Sequence, residues 1–338
     1  MTVLAAPVPV VAAGSAADVA VLEVDGLVVR LFRRDAQIAA VNGVSFALAR
    51  GETLTILGES GSGKSVTLKA LMGLLPAQAR VSGVVRLAGT SVLDLPPAAL
   101  ARLRGRRIAM IFQEPMSALD PVYTIGAQIA ETIVRHEGLD RRAALRRAQE
   151  MLERVRIPSA ARRLRNYPHE LSGGMRQRAM IALALACTPE VLLADEPTTA
   201  LDVTVQIQIL LLLRQLQEEL GMAVVFVTHD MGVAAEISDR VAVMYAGLFI
   251  ETGTARQVIR DPRHPYTAGL LSSTVHGGRR GGVLEAIPGA PPDLAALPPG
   301  CAFAPRCSLV EDACRTADPP VVPRAGGGLV RCVRAAAA

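Results

Sequence analysis

The sequence predicts an α/β fold built on a largely parallel sheet, in which strands alternate with helices. Residues 191–194 and 223–227 are continuously apolar, and such short runs are typical of strands that are buried on both faces. A glycine-rich loop at residues 58–65 follows a strand-like segment and precedes a helix-like one. Together, these observations predict the alternation of strands and helices that defines the fold class.

The remaining elements follow from local patterns along the chain. Period-two alternation or a short apolar run predicts further strands at residues 21–29, 44–48, 53–57, 84–88 and 108–112. A helix over residues 66–75 follows the glycine-rich loop and ends at Pro76. Another helix begins near Asp202, a residue type that caps helix N-termini, and ends at Gly221. Residues 125–165 look helical and strongly basic.

Length and composition limit the class of protein. The chain has 338 residues, of which 51% are hydrophobic and 20% charged, so we expect about two domains with a real core. The net charge of +5 permits an anionic partner without selecting one. The opening stretch, residues 1–17, contains prolines and lacks the basic start of a secretory signal. We therefore expect a disordered tail at residues 1–19, no membrane-spanning segment and a cytoplasmic location.

Composition changes after about residue 262. Proline and glycine concentrate at residues 286–300, and four of the five cysteines lie beyond them. We therefore predict a main domain at residues 20–262 and a C-terminal extension at residues 263–338.

Residues 58–65 match the pattern G-x-x-x-x-G-K-[S/T] between a strand and a helix, as a phosphate-binding loop requires. Glycines let the backbone wrap an anion with its N–H groups, and the helix N-terminus adds partial positive charge. We expect Lys64 to reach the β- and γ-phosphates of a nucleotide and Ser65 to ligate Mg²⁺. The choice of lysine is informative, since the chain has 34 arginines and two lysines. The residues predicted to bind the nucleotide here are Gly58, Ser60, Gly61, Ser62, Gly63, Lys64, Ser65 and Thr67.

Three further strand ends carry candidate catalytic residues. One apolar strand ends in Asp195, which we expect to hold Mg²⁺, and Glu196, which we expect to polarise the attacking water as general base. Without the phosphate loop, this pair could also be a solvated acidic turn. Gln113 could contact Mg²⁺ or water, and His229 could touch the γ-phosphate. On spacing alone, either of these two residues could instead be structural.

The segment at residues 171–178, Leu-Ser-Gly-Gly-Met-Arg-Gln-Arg, resembles the signature loop of ABC-type ATPases. The resemblance extends over residues 20–260 and includes Gln113, the sequence Ala200-Leu201-Asp202 and His229. It implies a P-loop NTPase fold with a RecA-like parallel sheet core, an antiparallel β subdomain and a helical subdomain.

This resemblance also implies an ATPase that works as a head-to-tail dimer. In such a dimer, the signature loop of one subunit caps the ATP held by the phosphate loop of the other. The catalytic residues are then Glu196, His229 and Gln113, and the residues that approach the nucleotide from the signature side are Ser172, Gly173, Gly174 and Asp202.

Two positions fit the family pattern less closely. Met175 stands where many family members carry glutamine, and we expect little loss because this position lies beside the phosphate. The family usually stacks adenine on an aromatic residue ahead of the phosphate loop, and Phe32 is the candidate. Phe46 lies in an alternating strand and is expected in the core.

Several motifs are similar to the dipeptide and oligopeptide importer branch of this family. They are Phe-Gln-Glu-Pro-Met-Ser-Ala-Leu-Asp-Pro at 112–121, Tyr-Pro-His-Glu-Leu at 167–171, Asp-Glu-Pro-Thr-Thr-Ala-Leu-Asp-Val-Thr at 195–204, Val-Met-Tyr-Ala-Gly at 243–247 and Arg-His-Pro-Tyr-Thr at 263–267. The last of these resembles the opening of the C-terminal extension of that branch. The similarity implies an ATPase that powers import of di- or oligopeptides, although nickel and glutathione importers share the architecture.

The same similarity implies a set of partners and a place in the cell. The ATPase is expected at the cytoplasmic face of the inner membrane, peripherally bound to two permease subunits. A second ATPase subunit completes a heterodimer, with a homodimer as the alternative, and an extracytoplasmic solute-binding protein delivers the solute. The segment after Gln113 receives the permease, and Pro115, Met116 and Leu119 are the candidate apolar surface.

The C-terminal segment is poor in core-forming residues, so it needs a covalent cross-link or a bound metal to be stable. It contains Cys301, Cys307, Cys314 and Cys332. Disulfides are rare in the cytoplasm, and zinc usually shows a tighter cysteine pair than this one. An iron–sulfur cluster tolerates looser spacing, and some members of the importer branch carry a 4Fe–4S cluster in a similar pattern. We favour a 4Fe–4S cluster over zinc, with free thiols as a third alternative, and expect Cys187 to be a buried core thiol.

The alternative from another class is a soluble ABC ATPase of DNA repair or translation. Such chains carry long insertions between the phosphate loop and the signature, or two ATPase halves, and this sequence has one set of motifs with a short gap. The arginine-rich stretch at residues 141–165 has no interleaved aromatic residues. We therefore expect a solvated helix face there and no nucleic-acid partner.

Overall fold

The computed structural model describes residues 20–33, 36–199, 201–273 and 286–336. The tail predicted at residues 1–19 and Ala200 of the predicted Ala200-Leu201-Asp202 motif lie outside the described residues. The chain divides into two compact units. Residues 1–94 and 227–338 belong to the first unit, and residues 95–226 form the second.

Strands and helices alternate along most of the described chain. The strands are β1 (Leu22–Arg33), β2 (Ala36–Leu48), β3 (Thr53–Leu57), β4 (Arg80–Leu87), β5 (Thr90–Ser91), β6 (Ile108–Ile111), β7 (Val191–Asp195), β8 (Ala223–Thr228), β9 (Arg240–Tyr245), β10 (Leu248–Thr254), β11 (Val321–Pro323) and β12 (Leu329–Arg331). The helices are α1 (Lys64–Leu71), α2 (Pro97–Leu103), α3 (Pro115–Ala118), α4 (Ile125–Glu137), α5 (Arg141–Arg154), α6 (Ala160–Arg163), α7 (Gly173–Leu185), α8 (Val203–Leu220), α9 (Met231–Ile237), α10 (Ala255–Arg260), α11 (Pro265–Ser272) and α12 (Asp312–Thr316). Short 3₁₀ turns cover Pro168–Glu170, Ala304–Arg306 and Arg334–Ala336.

Two sheets organise the first unit. An antiparallel sheet has the strand order β2-β1-β4-β5. In the second sheet, this unit contributes the order β11-β12-β10-β9-β3, in which β3 and β9 are parallel and the other neighbours are antiparallel. All residues of β3 are buried, so the strand that leads into the glycine-rich loop lies in the core.

The predicted C-terminal extension contributes strands to that second sheet. β12 pairs with β10 through Glu251↔Val330 and Thr252↔Leu329, and β11 pairs with β12. The Leu329 N–H also donates to Thr252 Oγ1 at 3.1 Å. Sequence on both sides of residue 262 therefore belongs to one unit, and the domain boundary at this position stays a prediction about the sequence.

An aromatic cluster packs the extension onto β9. Tyr245, Tyr266 and Phe303 are buried, with ring centroids 4.6 Å apart for the two tyrosines and 5.3 Å from each tyrosine to Phe303. His264 caps the N-terminus of α11, since its Nδ1 accepts the Tyr266 N–H at 3.0 Å. Burial lowers the pKa of His264 to about 3, so the imidazole is neutral inside the cluster.

The second unit holds a parallel strand pair and most of the helices. β6 pairs in parallel with β7, and every residue of both strands is buried. α4, α5 and α7 pack against one another, and their shared faces bury small and branched apolar residues such as Ile129, Ala144 and Ala148. Within the described part of the chain, helices of the length and apolar character needed to cross a bilayer are absent.

The fold class and most predicted helices and strands are confirmed, although some of them begin or end at other residues than predicted. α8 begins after Asp202, whose Oδ1 accepts the Val205 N–H, and ends at Gly221, as predicted. α1 begins two residues earlier than predicted, because Gly63 already serves as its N-cap. The basic stretch at residues 125–165 forms α4, α5 and α6, and Gly138, with φ +71°, ends the first of them.

A buried ion pair ties β10 to the segment between β11 and β12. Glu251 is fully buried, and Arg324 Nη1 lies 2.9 Å from its Oε1. The backbone N–H groups of Arg263 and His264 donate to the same carboxylate. Burial raises the pKa of Glu251, whereas these hydrogen bonds and the charge of Arg324 oppose that rise.

We predict that Arg324→Gln lowers the free energy of unfolding by roughly 3 kcal/mol, because it leaves the Glu251 carboxylate buried without its cation. The pKa of Glu251 then rises further, so the folded variant holds a proton that the unfolded chain releases. Protonation removes the unpaired charge, and the loss of stability should be smaller at about pH 5 than at about pH 8 in urea denaturation.

The control is the double variant that adds Glu251→Gln, which removes the buried carboxyl group and leaves only the exposed carboxylate of Asp261 beside position 324. Its stability relative to the native chain should not depend on pH in this way. A loss that is equal at both pH values in Arg324→Gln would contradict the prediction.

Candidate functional site

The phosphate loop is shaped by close backbone contacts. Gly63 has φ +110°, and a Cβ there would lie 2.4 Å from the carbonyl oxygen of Ala40. A Cβ on Gly58 would lie 2.3 Å from the carbonyl oxygen of Met244. Both distances are far below van der Waals contact, so neither end of the loop accepts a side chain without a backbone shift.

Lys64 begins α1 and is buried, with 5% of the residue exposed. Its Nζ donates to the carbonyl oxygens of Gly58 and Glu59 at 2.7 Å and 2.8 Å. The ammonium therefore lies inside the curve of the loop, next to the N-terminus of α1. This arrangement concentrates positive potential where the sequence predicts the phosphates.

The other predicted loop residues take different positions. Ser60 and Gly61 are exposed, and Ser65 is half-buried. Thr67 is fully buried, and its Oγ1 donates to the Gly63 carbonyl at 3.0 Å, so this hydroxyl supports the loop from within the helix. Ser62 Oγ is buried without a hydrogen-bond partner among the described residues, which fits a loop that receives a polar ligand.

Glu59, a loop position to which the sequence patterns assign no role, is fixed by hydrogen bonds to three residues. Its N–H donates to Tyr266 Oη at 2.9 Å, and its carbonyl accepts from Lys64. Its carboxylate accepts from Arg306 at 2.6 Å and 3.0 Å. Because Arg306 is 247 positions away along the chain, no local pattern in the sequence signals this contact.

The second unit brings predicted catalytic residues together beyond β6 and β7. Asp195 ends β7 and is 4% exposed. Glu196 has φ +45°, a left-handed conformation that non-glycine residues rarely adopt. Its Oε2 accepts from Gln113 Nε2 at 3.2 Å and from Thr199 Oγ1 at 2.9 Å. A strained backbone and two aimed donors hold this carboxylate in one orientation, which suits a functional group.

His229 lies in the first unit, directly after β8, and is exposed. The adjacent Asp230 caps α9, since its Oδ1 accepts the N–H groups of Gly232 and Val233. This cap defines the path of the backbone that carries His229.

The predicted signature loop forms the start of α7 in the second unit. Ser172 is the N-cap, and its Oγ accepts the Met175 N–H at 3.4 Å. Ser172 and Gly173 are exposed, and Gly174 packs near Val205 of α8. The first N–H groups of this 13-residue helix therefore lie at the surface, where an anion can reach them.

The two aromatic candidates differ in exposure. Phe32 of β1 is 39% exposed, and the guanidinium carbon of Arg80 lies 5.2 Å from its ring centroid. Its role as adenine platform stays a prediction. Phe46 is buried and packs at 6.2 Å from the Phe249 ring, as expected for a core residue.

The segment after Gln113 exposes different apolar residues from those the sequence suggested. Leu119 is buried, Pro115 is half-buried, and the side chain of Met116 lies outside the described set. Val122 and Tyr123 are instead 69% and 57% exposed. The prediction of Leu119 as a surface residue is wrong, because the chain is extended at this residue after α3 and the residue is only 2% exposed.

The four C-terminal cysteines line one small cavity together with His264 and Phe303. Burial raises the pKa of the Cys301 and Cys307 thiols. Yet among the residues with described positions, no three His, Cys, Asp or Glu side chains are placed to hold a metal ion. The 4Fe–4S cluster and its zinc alternative gain no support from these positions and stay predictions. Cys187 is buried, as predicted, and burial raises its pKa to about 11.

Two protein-family models match the chain. The model described as ABC transporter matches residues 41–199, and the model described as Oligopeptide/dipeptide transporter, C-terminal region, matches residues 250–314. These matches cover the phosphate loop, the signature segment and part of the extension.

Individual proteins are similar over most of the chain. A putative peptide import ATP-binding protein of Brucella abortus (strain 2308) is 52% identical over 327 residues, which cover 93% of this chain and 97% of that protein. The oligopeptide transport ATP-binding protein OppD of Salmonella typhimurium is 47% identical over 313 residues and covers 93% of both chains. The ATP-binding cassette MJ0796, solved as a dimer in a post-hydrolysis state with ADP and Pi, is 30% identical, with a TM-score of 0.63 over 70% of this chain and 99% of that one.

We predict that Gly63→Ala weakens binding of a fluorescent ATP analogue by about 100-fold or more, since the Cβ meets the Ala40 carbonyl and displaces the loop. The matched control is Gly51→Ala in the same unit. Gly51 has φ +70° but nothing within 4 Å of its Cβ, so it carries only the backbone strain of about 1–2 kcal/mol. Equal nucleotide affinities in the two variants would contradict the prediction.

Proposed function

The chain belongs to the ABC transporter family, and from this membership we propose that it is the ATP-hydrolysing subunit of an importer of di- or oligopeptides. Relatives that match nearly its full length carry peptide-import names, and its extension matches the oligopeptide/dipeptide branch. The subunit hydrolyses ATP to ADP and phosphate. The soluble ATPase of DNA repair or translation is not favoured, because such a protein would not require the extension of that branch.

One observation of the structure carries the proposal. The buried Lys64 ammonium is enclosed by a loop whose end glycines, Gly58 and Gly63, leave no room for a side chain. Backbone N–H groups, one point charge and a helix N-terminus form the chemistry that binds the phosphates of ATP.

Each of the proposed site residues has its own role in ATP hydrolysis. Lys64 neutralises the β- and γ-phosphates, and Ser65 and Asp195 hold the Mg²⁺ that ATP brings. Glu196 orients and polarises the attacking water, and Gln113, which donates to it, aligns this carboxylate with water and metal. His229 contacts the γ-phosphate. Phe32 stacks on the adenine ring.

Two subunits complete the site. Ser172, Gly173 and Gly174 at the start of α7, together with Asp202 at the N-cap of α8, close over the ATP held by the partner's phosphate loop. ATP binding thereby closes the dimer, and hydrolysis reopens it. We favour a second, different ATPase chain as the partner, with a homodimer as the alternative.

The subunit transmits this cycle to the membrane. It binds two permease subunits peripherally at the cytoplasmic face of the inner membrane, and an extracytoplasmic binding protein delivers the solute. The exposed Val122 and Tyr123 follow the segment that the family uses for the permease. Such exposed apolar side chains favour contact with a partner.

The C-terminal cysteines form a second candidate site. Their thiols line one cavity with raised pKa values at Cys301 and Cys307, so a metal must displace protons to bind them. A 4Fe–4S cluster would be held by Cys301, Cys307, Cys314 and Cys332, and zinc is the alternative. In either case the bound group would cross-link and stabilise a segment that has few core residues.

We predict that Glu196→Gln lowers kcat for ATP hydrolysis by about 10²–10⁴-fold, because the amide cannot accept the proton of the attacking water. ATP binding should persist, so the variant should accumulate ATP-bound closed dimers, which size-exclusion chromatography with radiolabelled ATP detects. The matched control is Glu190→Gln, which removes a carboxylate paired with Arg107 at 2.6 Å. Undiminished turnover in Glu196→Gln would refute the role of this residue.

For the cysteine cavity, we predict iron and acid-labile sulfide in protein purified without oxygen, with both lost in Cys307→Ser. Cys187→Ser is the control, because its buried thiol lies outside the cavity. Zinc without sulfide would favour the alternative metal. Four thiols that react with a thiol reagent in metal-free native protein would refute both metal assignments.

A further inference from the structure

The Arg306 guanidinium reaches the phosphate loop from the C-terminal extension. Its Nη1 and Nη2 donate to the two oxygens of the Glu59 carboxylate at 2.6 Å and 3.0 Å. Nε donates to the Pro288 carbonyl at 2.9 Å, and Nη1 also donates to Tyr245 Oη at 3.3 Å. All three guanidinium nitrogens of Arg306 therefore donate hydrogen bonds in one plane, a geometry that the single ammonium of lysine cannot reproduce.

Burial makes this contact strong. The Arg306 side chain is 4% exposed and Glu59 is 28% exposed, so solvent screens the pair far less than a surface ion pair. The hydrogen bond to Glu59 raises the pKa of Arg306 against the opposing effect of burial. The guanidinium carbon also lies 5.9 Å from the ring centroids of both Tyr245 and Phe303.

The position of Glu59 makes the contact relevant to ATP. Glu59 directly follows Gly58, and its carbonyl accepts from Lys64, which binds the phosphates in the proposed function. An unpaired carboxylate in this loop would repel the phosphates of ATP, since like charges within a few ångströms disfavour each other. Tyr266 holds the Glu59 N–H from the same extension.

We propose that Arg306 is a positioning residue for ATP binding, which neutralises Glu59 and holds the phosphate loop open for the nucleotide. The proposal rests on the proposed ATPase function. Arg306 lies between Cys301 and Cys307, so the order of the cysteine segment sets the affinity of the ATP site. The extension thereby becomes part of the nucleotide site in addition to its packing role.

The test compares ATP affinity with turnover in the full-length protein. Arg306→Gln leaves the Glu59 charge unpaired, and we expect the Kd for ATP to rise about tenfold, or 1.4 kcal/mol. KM should rise in parallel, while kcat at saturating ATP should stay within about twofold, because Arg306 touches no reacting group. Arg306→Lys should recover part of the affinity, since it restores the charge without the fork.

The matched control is Arg324→Gln in the same extension. Arg324 is also a buried arginine paired with a carboxylate, but its partners are Glu251 and Asp261 rather than the phosphate loop. Arg324→Gln should lower the melting temperature with the Kd for ATP unchanged. If Arg306→Gln likewise lowers only the melting temperature, Arg306 is structural and the proposal fails.

A double-variant cycle tests whether Arg306 acts through Glu59. Removing the Glu59 charge should relieve the repulsion, so Glu59→Gln/Arg306→Gln should bind ATP more tightly than Arg306→Gln alone. Independent losses that multiply in the double variant would overturn the proposal. Native protein that neither binds nor hydrolyses ATP would instead refute the proposed function, so the two failures are distinguishable.

Discussion

The burial of one ammonium group organises the phosphate loop. Lys64 is removed from water, and a buried charge is tolerated only when hydrogen bonds satisfy it. The carbonyl oxygens of Gly58 and Glu59 supply those bonds, which requires the loop to curve back over the start of α1. That curvature brings the loop against the carbonyls of β2 and β9, where only glycine fits. The shape of the site is thus determined before any ligand arrives.

The extension is part of this organisation rather than an appendage. It contributes β11 and β12 to the sheet that contains β3, and it supplies Tyr266 and Arg306 to the loop residue Glu59. The aromatic rings of Tyr245, Tyr266 and Phe303 fill the space between these contacts. A segment with few core residues is therefore anchored by aromatic packing and by buried ion pairs, each of which needs an exact partner elsewhere in the first unit.

Sequence patterns predicted the structural features that depend only on residues close together in the chain. The strand at 53–57, the cap at Asp202 and the phosphate loop follow from neighbouring residues, so their signals are complete in a short window. Glu196 was predicted as general base, but its left-handed backbone and its donor Thr199 were not, because both depend on tertiary packing rather than on residue type. Leu119 was misplaced for a related reason, since an amphipathic turn does not reveal which side faces the core. The contact between Arg306 and Glu59 could not be predicted, because the two charged residues belong to no shared sequence pattern and lie 247 positions apart.

The strand pairing of the extension also has a consequence for solubility. β10 would otherwise present a row of free N–H and C=O groups along its outer side, and such open edges promote pairing between copies of a chain. β12 covers that edge at Glu251 and Thr252, and the new edge, β11, has only three residues and ends in Pro323, which cannot donate to a neighbouring strand. The extension therefore leaves a short edge strand with a proline in place of a longer exposed one. This disfavours edge-to-edge association between copies of the subunit.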